Sequence, residues 1–152
     1  MKEFDDLIKV VEILRKKCPW DKKQTHETLK PYMLEETNEA IEAIDGGDPK
    51  KLCEELGDQL LHIVMHAEMA REKGTFGIKD VVEVIRTKMI RRHPHVFGKL
   101  KTKKILEIWK RWDKIKKIER YANKKGIHLT KLDDKKMKEL SKEIKENERS
   151  KK

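Results

Sequence analysis

The chain has 152 residues, with 38 Lys and Arg against 28 Asp and Glu, a net charge of +10, and 43% charged against 36% hydrophobic residues. That length suits one domain with a single sizeable core. The scarcity of alternating β-branched stretches excludes a sheet protein, and no apolar run approaches the roughly 18–20 residues of a membrane span.

The charge is uneven: residues 1–98 hold 17 Lys and Arg against 19 Asp and Glu, and residues 99–152 hold 21 against 9. A near-neutral body thus carries a basic C-terminal third, which could meet phosphates, nucleic acid or only water. Cys18 and Cys53 stand far apart and outside any CxxC spacing, which suits a reducing compartment and offers no zinc framework. The opening MKEFDDLIKVVEIL breaks its apolar run with charges, unlike a signal peptide. The expectation is a soluble, cytoplasmic protein.

In chain order, Phe4, Leu7, Ile8, Val11 and Leu14 predict a first helix to about Lys16, ended by Cys18-Pro19. Asp21 to His26 reads as irregular. Thr28 is the expected N-cap of a second helix that reaches Asp45, with Leu34, Thr37, Ile41 and Ile44 on its apolar face. Gly46-Gly47 stops it, and Asp48-Pro49 restarts the chain as N-cap and first helical residue. A third helix should run from Pro49 to Lys73 and a fourth from Ile78 to Arg91. His93 to Gly98 reads as non-helical. Ile105 to Ile118, with Leu106, Trp109, Trp112 and Ile115, reads as another amphipathic helix. Beyond Arg120, sparse apolar residues among Lys and Glu predict a marginal exposed helix or partial disorder.

The second and third helices carry the chemistry. Glu36 and Glu39 share one face, as do Glu55 and Asp58, because residues three apart on a helix point the same way. An antiparallel pair could converge these carboxylates, which would repel unless a cation sat among them. A solvated acidic face is the competing explanation. Two details favour the cation: no Lys or Arg lies at i+3 or i+4 from the acids between Leu34 and Asp45, and Gly57 sits mid-helix at a cost of about 1 kcal/mol relative to Ala. An all-oxygen donor set suits Mg²⁺ or Mn²⁺. A di-iron centre would need Glu-x-x-His pairs, which are missing here.

Downstream, Lys88 and Arg92 are four apart and could grip a polyphosphate together. Trp112, Lys116 and Arg120 form a line at i, i+4 and i+8 that could stack a base and hold phosphates, although core packing also explains Trp112. His93 and His95 flank Pro94 with no further metal ligand at hand, so they are read as shaping a turn.

Four blocks in this order resemble the MazG family of nucleoside triphosphate pyrophosphohydrolases over about residues 4–120. They are Cys18-Pro19-Trp20-Asp21 with Gln24-Thr25; Glu35-Glu36-x-x-Glu39 followed by Glu55-x-x-Asp58; Arg91-Arg92-His93-Pro94-His95-Val96-Phe97; and Trp112-x-x-Ile115-Lys116-x-x-x-Arg120. The resemblance implies an all-α antiparallel helical bundle whose four-helix core is completed by dimerisation. It implies Mg²⁺ ligation by Glu36, Glu39, Glu55 and Asp58, with Glu35 as base, orienting group or further ligand. It further implies nucleotide contacts by Lys88, Arg92, Trp112 and Lys116, with Trp20 and Gln24 lining the pocket. The implied reaction is hydrolysis between the α- and β-phosphates of a nucleoside triphosphate. dUTP and phosphoribosyl-ATP are the alternative substrates. A helical nucleic-acid-binding protein acting through the basic tail is the alternative of another class. Residues 1–120 are the expected domain, and 121–152 a basic extension without a counterpart in the family core.

Overall fold

The computed structural model describes residues 1–150 and is all-helical, with no strand among them. None of these helices is long and apolar enough to cross a membrane. The chain forms two compact units, one from Met1 to Val81 and one from Val82 onward.

The first unit contains α1 (Lys2–Lys17), α2 (Pro19–Lys23), α3 (Lys30–Gly46) and α4 (Pro49–Glu72). Its core joins Val11 of α1, Leu29, and Val64, Met65 and Met69 of α4, with Phe4, Leu7 and Ile8 packed against them. The buried Arg15 donates to both carboxylate oxygens of Glu72, at 2.9 and 2.6 Å, and to the carbonyls of Gln24 (3.0 Å) and Asp21. One guanidinium thus satisfies the loose carbonyls around α2 and anchors that segment to the end of α4.

The turn between α3 and α4 follows the sequence. Gly47 takes the left-handed conformation (φ 66°), its N–H bonds the carbonyl of Ile44, and that of Asp48 bonds Ala43. The Asp48 carboxylate then accepts from the N–H groups of Lys50 (2.9 Å) and Lys51 (3.2 Å), with Pro49 opening α4. Two local expectations fail here. Pro19–Lys23 is a short helix, because Pro19 at its first position costs no hydrogen bond. Thr28 does not cap α3; Leu29 holds the cap position with no side-chain bond, and the Thr28 hydroxyl accepts from the N–H of Thr25 instead.

The apolar faces divide unexpectedly. α3 buries Ala40 and Ala43, while Leu34 (64% exposed), Ile41 (50%) and Ile44 (60%) face outward. Leu56, Leu60 and Ile63 of α4 are exposed as well, whereas Val64, Met65, Ala67, Glu68, Met69 and Ala70 in the C-terminal half of that helix are buried.

The second unit holds most of α5 (Ile78–Arg92), then α6 (Pro94–Phe97), α7 (Ile105–Lys124), a 3₁₀ turn (Leu129–Lys131) and α8 (Asp134–Arg149). His93–Gly98 is therefore partly helical, with Pro94 at the first position of a single turn. α7 continues six residues past Ile118. Ile118, Ala122, Leu132, Leu140 and Ile144 form a second core, in which Ala122 and Leu140 are fully buried. The segment past Arg120 is thus a packed element. Met137, Leu140 and Ile144 recur at helical spacing, and the small Ala122 leaves room for them.

Candidate active site

The hairpin of α3 and α4 brings one oxygen from each of Glu36, Glu39 and Glu55 within 4.8 Å of one another. Glu55 is buried at 5% exposure, and Glu36 and Glu39 are half-buried. Among the described residues none of the three forms an ion pair. Burial, followed by Asp58, Glu39 and Glu35, pushes the Glu36 carboxyl above the ordinary range. Burial and Glu39 do the same to Glu55, against a smaller opposing pull from Lys51. Asp58 is thus close enough to act on Glu36 but lies outside the trio, and Glu35 is exposed beside it.

One cross-helix bond orders this region: the Gln59 amide donates to the Thr37 hydroxyl (3.0 Å), which itself donates to the Met33 carbonyl (2.7 Å). Neither residue stood out in the sequence beyond the place of Thr37 on an apolar face. A Cβ built on Gly57 would meet nothing within 4 Å among the described residues.

A partly buried set of oxygen-only donors that repel one another, with no ion-pair partner among the described residues, fits a hard divalent ion. Glu36, Glu39 and Glu55 are the residues that could hold it.

Trp20 is 52% exposed and meets Tyr32 edge-on with ring centroids 5.9 Å apart. Gln24 donates to the Trp20 carbonyl and accepts from the Thr28 hydroxyl, so both sit in one local turn.

In the second unit, Arg92 donates to Glu119 Oε2 (2.6 Å) and Arg91 to Oε1 (2.7 Å), so a carboxylate at 3% exposure is clamped by two guanidinium groups. Arg91 also reaches the Leu129 carbonyl at 3.0 Å. Arg91 is thus more than a cation at a helix end. Glu119 was missed, and its being a lone acid within a basic stretch was the available signal. Trp112 packs edge-on to His93 (4.9 Å), with Lys116 5.7 Å from its ring centre and its own indole N–H buried without an acceptor among the described residues. His93 itself bonds the Met89 carbonyl, as a residue shaping that helix end should. Lys88 is half-buried and has no ion-pair partner among the described residues.

Residues 24–97 match the MazG nucleotide pyrophosphohydrolase domain. The chain carries a MazG domain. It is 55% identical over 97 residues to the nucleoside triphosphate pyrophosphohydrolase/pyrophosphatase MazG of Thermotoga maritima, covering 62% of this chain and 38% of that one. It is 43% identical over 123 residues to the nucleoside triphosphate pyrophosphohydrolase of Escherichia coli K12, covering 79% and 47%. The chain thus spans less than half the length of either relative. The crystal structure of a MazG-related protein from Thermotoga maritima superposes with a TM-score of 0.64 at 29% identity, over 74% of this chain and 98% of that one. The matched MazG stretch contains Glu35, Glu36, Glu39, Glu55 and Asp58.

The same unit holds a histidine pair that the sequence could not reveal. His26 and His66 lie parallel, with Nδ1 atoms 2.8 Å apart, so one donates and the other accepts. Burial lowers the affinity of His66 for a proton, with smaller contributions from His26 and His62, and burial does the same to His62. Such groups are neutral in the fold and titrate nearer 6.5 when unfolded. Stability is therefore fully present above pH 6.5 and declines as pH falls from there through the lowered folded values. Thermal unfolding across this range should show that decline in the wild type and a flatter profile in His66→Phe. An unchanged slope would assign it to other groups.

Proposed function

We propose that this chain is a divalent-cation-dependent nucleoside triphosphate pyrophosphohydrolase, cleaving between the α- and β-phosphates to give a nucleoside monophosphate and pyrophosphate. The observation that carries the reading is the unpaired trio Glu36, Glu39 and Glu55 on a MazG hairpin. These residues hold the ion, with Asp58 completing the set. Bound there, Mg²⁺ or Mn²⁺ supplies Lewis acidity and neutralises charge on the phosphate oxygens. Glu35, exposed beside the trio, orients or deprotonates the attacking water. In the second unit, Lys88, Arg92 and Lys116 offer positive charge suited to phosphates, and Trp112 a face suited to a base. Trp20 and Gln24 line the pocket. No Ser, Cys or His nucleophile is required, because phosphoryl chemistry asks mainly for positioning and charge.

The test is a product assay with NTPs, dUTP and phosphoribosyl-ATP in Mg²⁺. Pyrophosphate as the direct product supports the reading, and orthophosphate as the direct product sinks it. The panel separates a general NTP substrate from dUTP or phosphoribosyl-ATP.

The functional protein is proposed to be a homodimer whose paired hairpins complete a four-helix core. Leu34, Ile41, Ile44, Leu56, Leu60 and Ile63 support this, since so many large apolar side chains on one hairpin call for a covering surface. Ile41→Glu with Ile44→Glu should convert the dimer to a monomer by light scattering. A wild-type monomer at micromolar concentration would refute it.

A further inference from the structure

The C-terminal unit contains a feature that the proposed reaction does not use. A groove of about 750 Å³ lies between α7 and α8, with Ile115, Ile118 and Met137 contributing apolar lining. Arg111 and Lys114 stand along it on α7, and Lys138 and Lys142 on α8, with the Ser141 hydroxyl beside them. Their spacings, i and i+3 on one helix and i and i+4 on the other, put each pair on one face. Among the described residues, none of the four cations is within ion-pair distance of a carboxylate. Among the described residues, Asp134 is the one acid in the lining.

Neighbouring lysines behave differently. Lys116 pairs with Asp113, Lys117 with Glu148, Lys125 with Glu143 and Lys136 with Glu139. Three of the acids of α8 are therefore already engaged, while the groove keeps a concentration of uncompensated positive charge over apolar walls. Unpaired cations beside low-dielectric walls attract a multiply charged anion more strongly than cations surrounded by water.

We propose that this groove binds a compact oligophosphate, either an inorganic one or the phosphate chain of a nucleotide. Its volume falls within the span typical of small-molecule sites, roughly 300–1,000 Å³. Charges converge from two walls, which suits an anion carrying negative charge on all sides. A single nucleic-acid strand would instead need aromatic platforms for its bases, and none lines the groove.

The test is calorimetric titration of the full chain with pyrophosphate, tripolyphosphate and ATP. EDTA in the buffer keeps the carboxylate trio free of metal, so binding in the groove is read apart from catalysis. Lys138→Ala with Lys142→Ala should weaken binding by about tenfold or more. Arg111→Gln with Lys114→Gln, on the opposite wall, should do the same while leaving helicity and Mg²⁺-dependent turnover unchanged. Lys117→Ala with Lys136→Ala removes the same charge from ion-paired positions and should leave binding within about twofold. ATP matching tripolyphosphate indicates recognition of phosphates alone, and tighter ATP indicates a nucleoside on the apolar wall; both support the site. Equal weakening by all three double variants would mean diffuse charge attraction and overturn it. Binding of a DNA duplex with no binding of the three phosphate probes would also overturn it.

Discussion

Glu55→Gln should lower pyrophosphate release by about 10²–10³-fold, the range for removing one preorganised charge-stabilising group, while making the metal-free protein more stable. Both effects come from one cause. The folded chain holds Glu55 above the ordinary carboxyl range through burial and the proximity of Glu39, so its ionised form opposes folding at neutral pH. A neutral isostere relieves that opposition and also removes a donor from the trio. Thermal unfolding in EDTA and in Mg²⁺ separates the two. Wild type should gain stability on adding Mg²⁺ by mass action, and the variant should gain little. The pH dependence has opposite signs in the two conditions. For Glu36 and Glu55, whose folded pKa lies above 4.5, the metal-free protein gains stability as pH falls through the raised value, until the unfolded chain protonates too. The Mg²⁺-loaded protein loses stability over the same interval, because protons compete with the ion for the same oxygens. A Glu55→Gln variant that was less stable in EDTA would mean that Glu55 supports the fold, and the cation reading would fail.

Glu119→Ala should destabilise the C-terminal unit by about 3–5 kcal/mol, the cost of leaving buried charge uncompensated. Arg91 and Arg92 have side chains 11% and 18% exposed, and both direct their guanidinium groups at this one carboxylate. Without it, two like charges would face each other with little water to separate them. Arg91 would keep the Leu129 carbonyl, and Arg92 would lose its only partner among the described residues. Chemical denaturation followed by the fluorescence of Trp109 and Trp112 would report the change. A loss below about 1 kcal/mol would place the pair among ordinary surface bridges. Glu119 also fixes the direction of Arg92, so turnover by a still-folded Glu119→Gln variant should fall through weaker substrate binding.

Much of the hairpin could be read in advance. Gly46-Gly47 and Asp48-Pro49 specify a left-handed stop and a side-chain cap, both governed by neighbours one to three residues away, and both appear as expected. The pairing of Glu36 with Glu39 on one face is equally local. Asp58 standing outside the trio could not be foreseen, because the rotation of α4 against α3 is decided by packing. The outward exposure of Leu34, Ile41 and Ile44 escaped for a related reason: a periodic pattern identifies an apolar face without saying what covers it. His26 meets His66 across 40 residues, a pairing that no local signal encodes. In the tail, the density of apolar residues was low enough to suggest disorder. The spacing of Met137, Leu140 and Ile144 held the better information, and Ala122 supplied the space they needed.

The two-residue turn at Gly47-Asp48 has a consequence for how the chain folds. Glu36 and Glu55 are joined by a short stretch, so closing the loop between them costs little entropy and can happen early. Repulsion among the carboxylates is then encountered on the way to the folded state, before distant contacts such as Val11 with Met69 can offset it. A divalent cation should therefore speed refolding, by lowering a barrier that the charges themselves create, as well as slow unfolding.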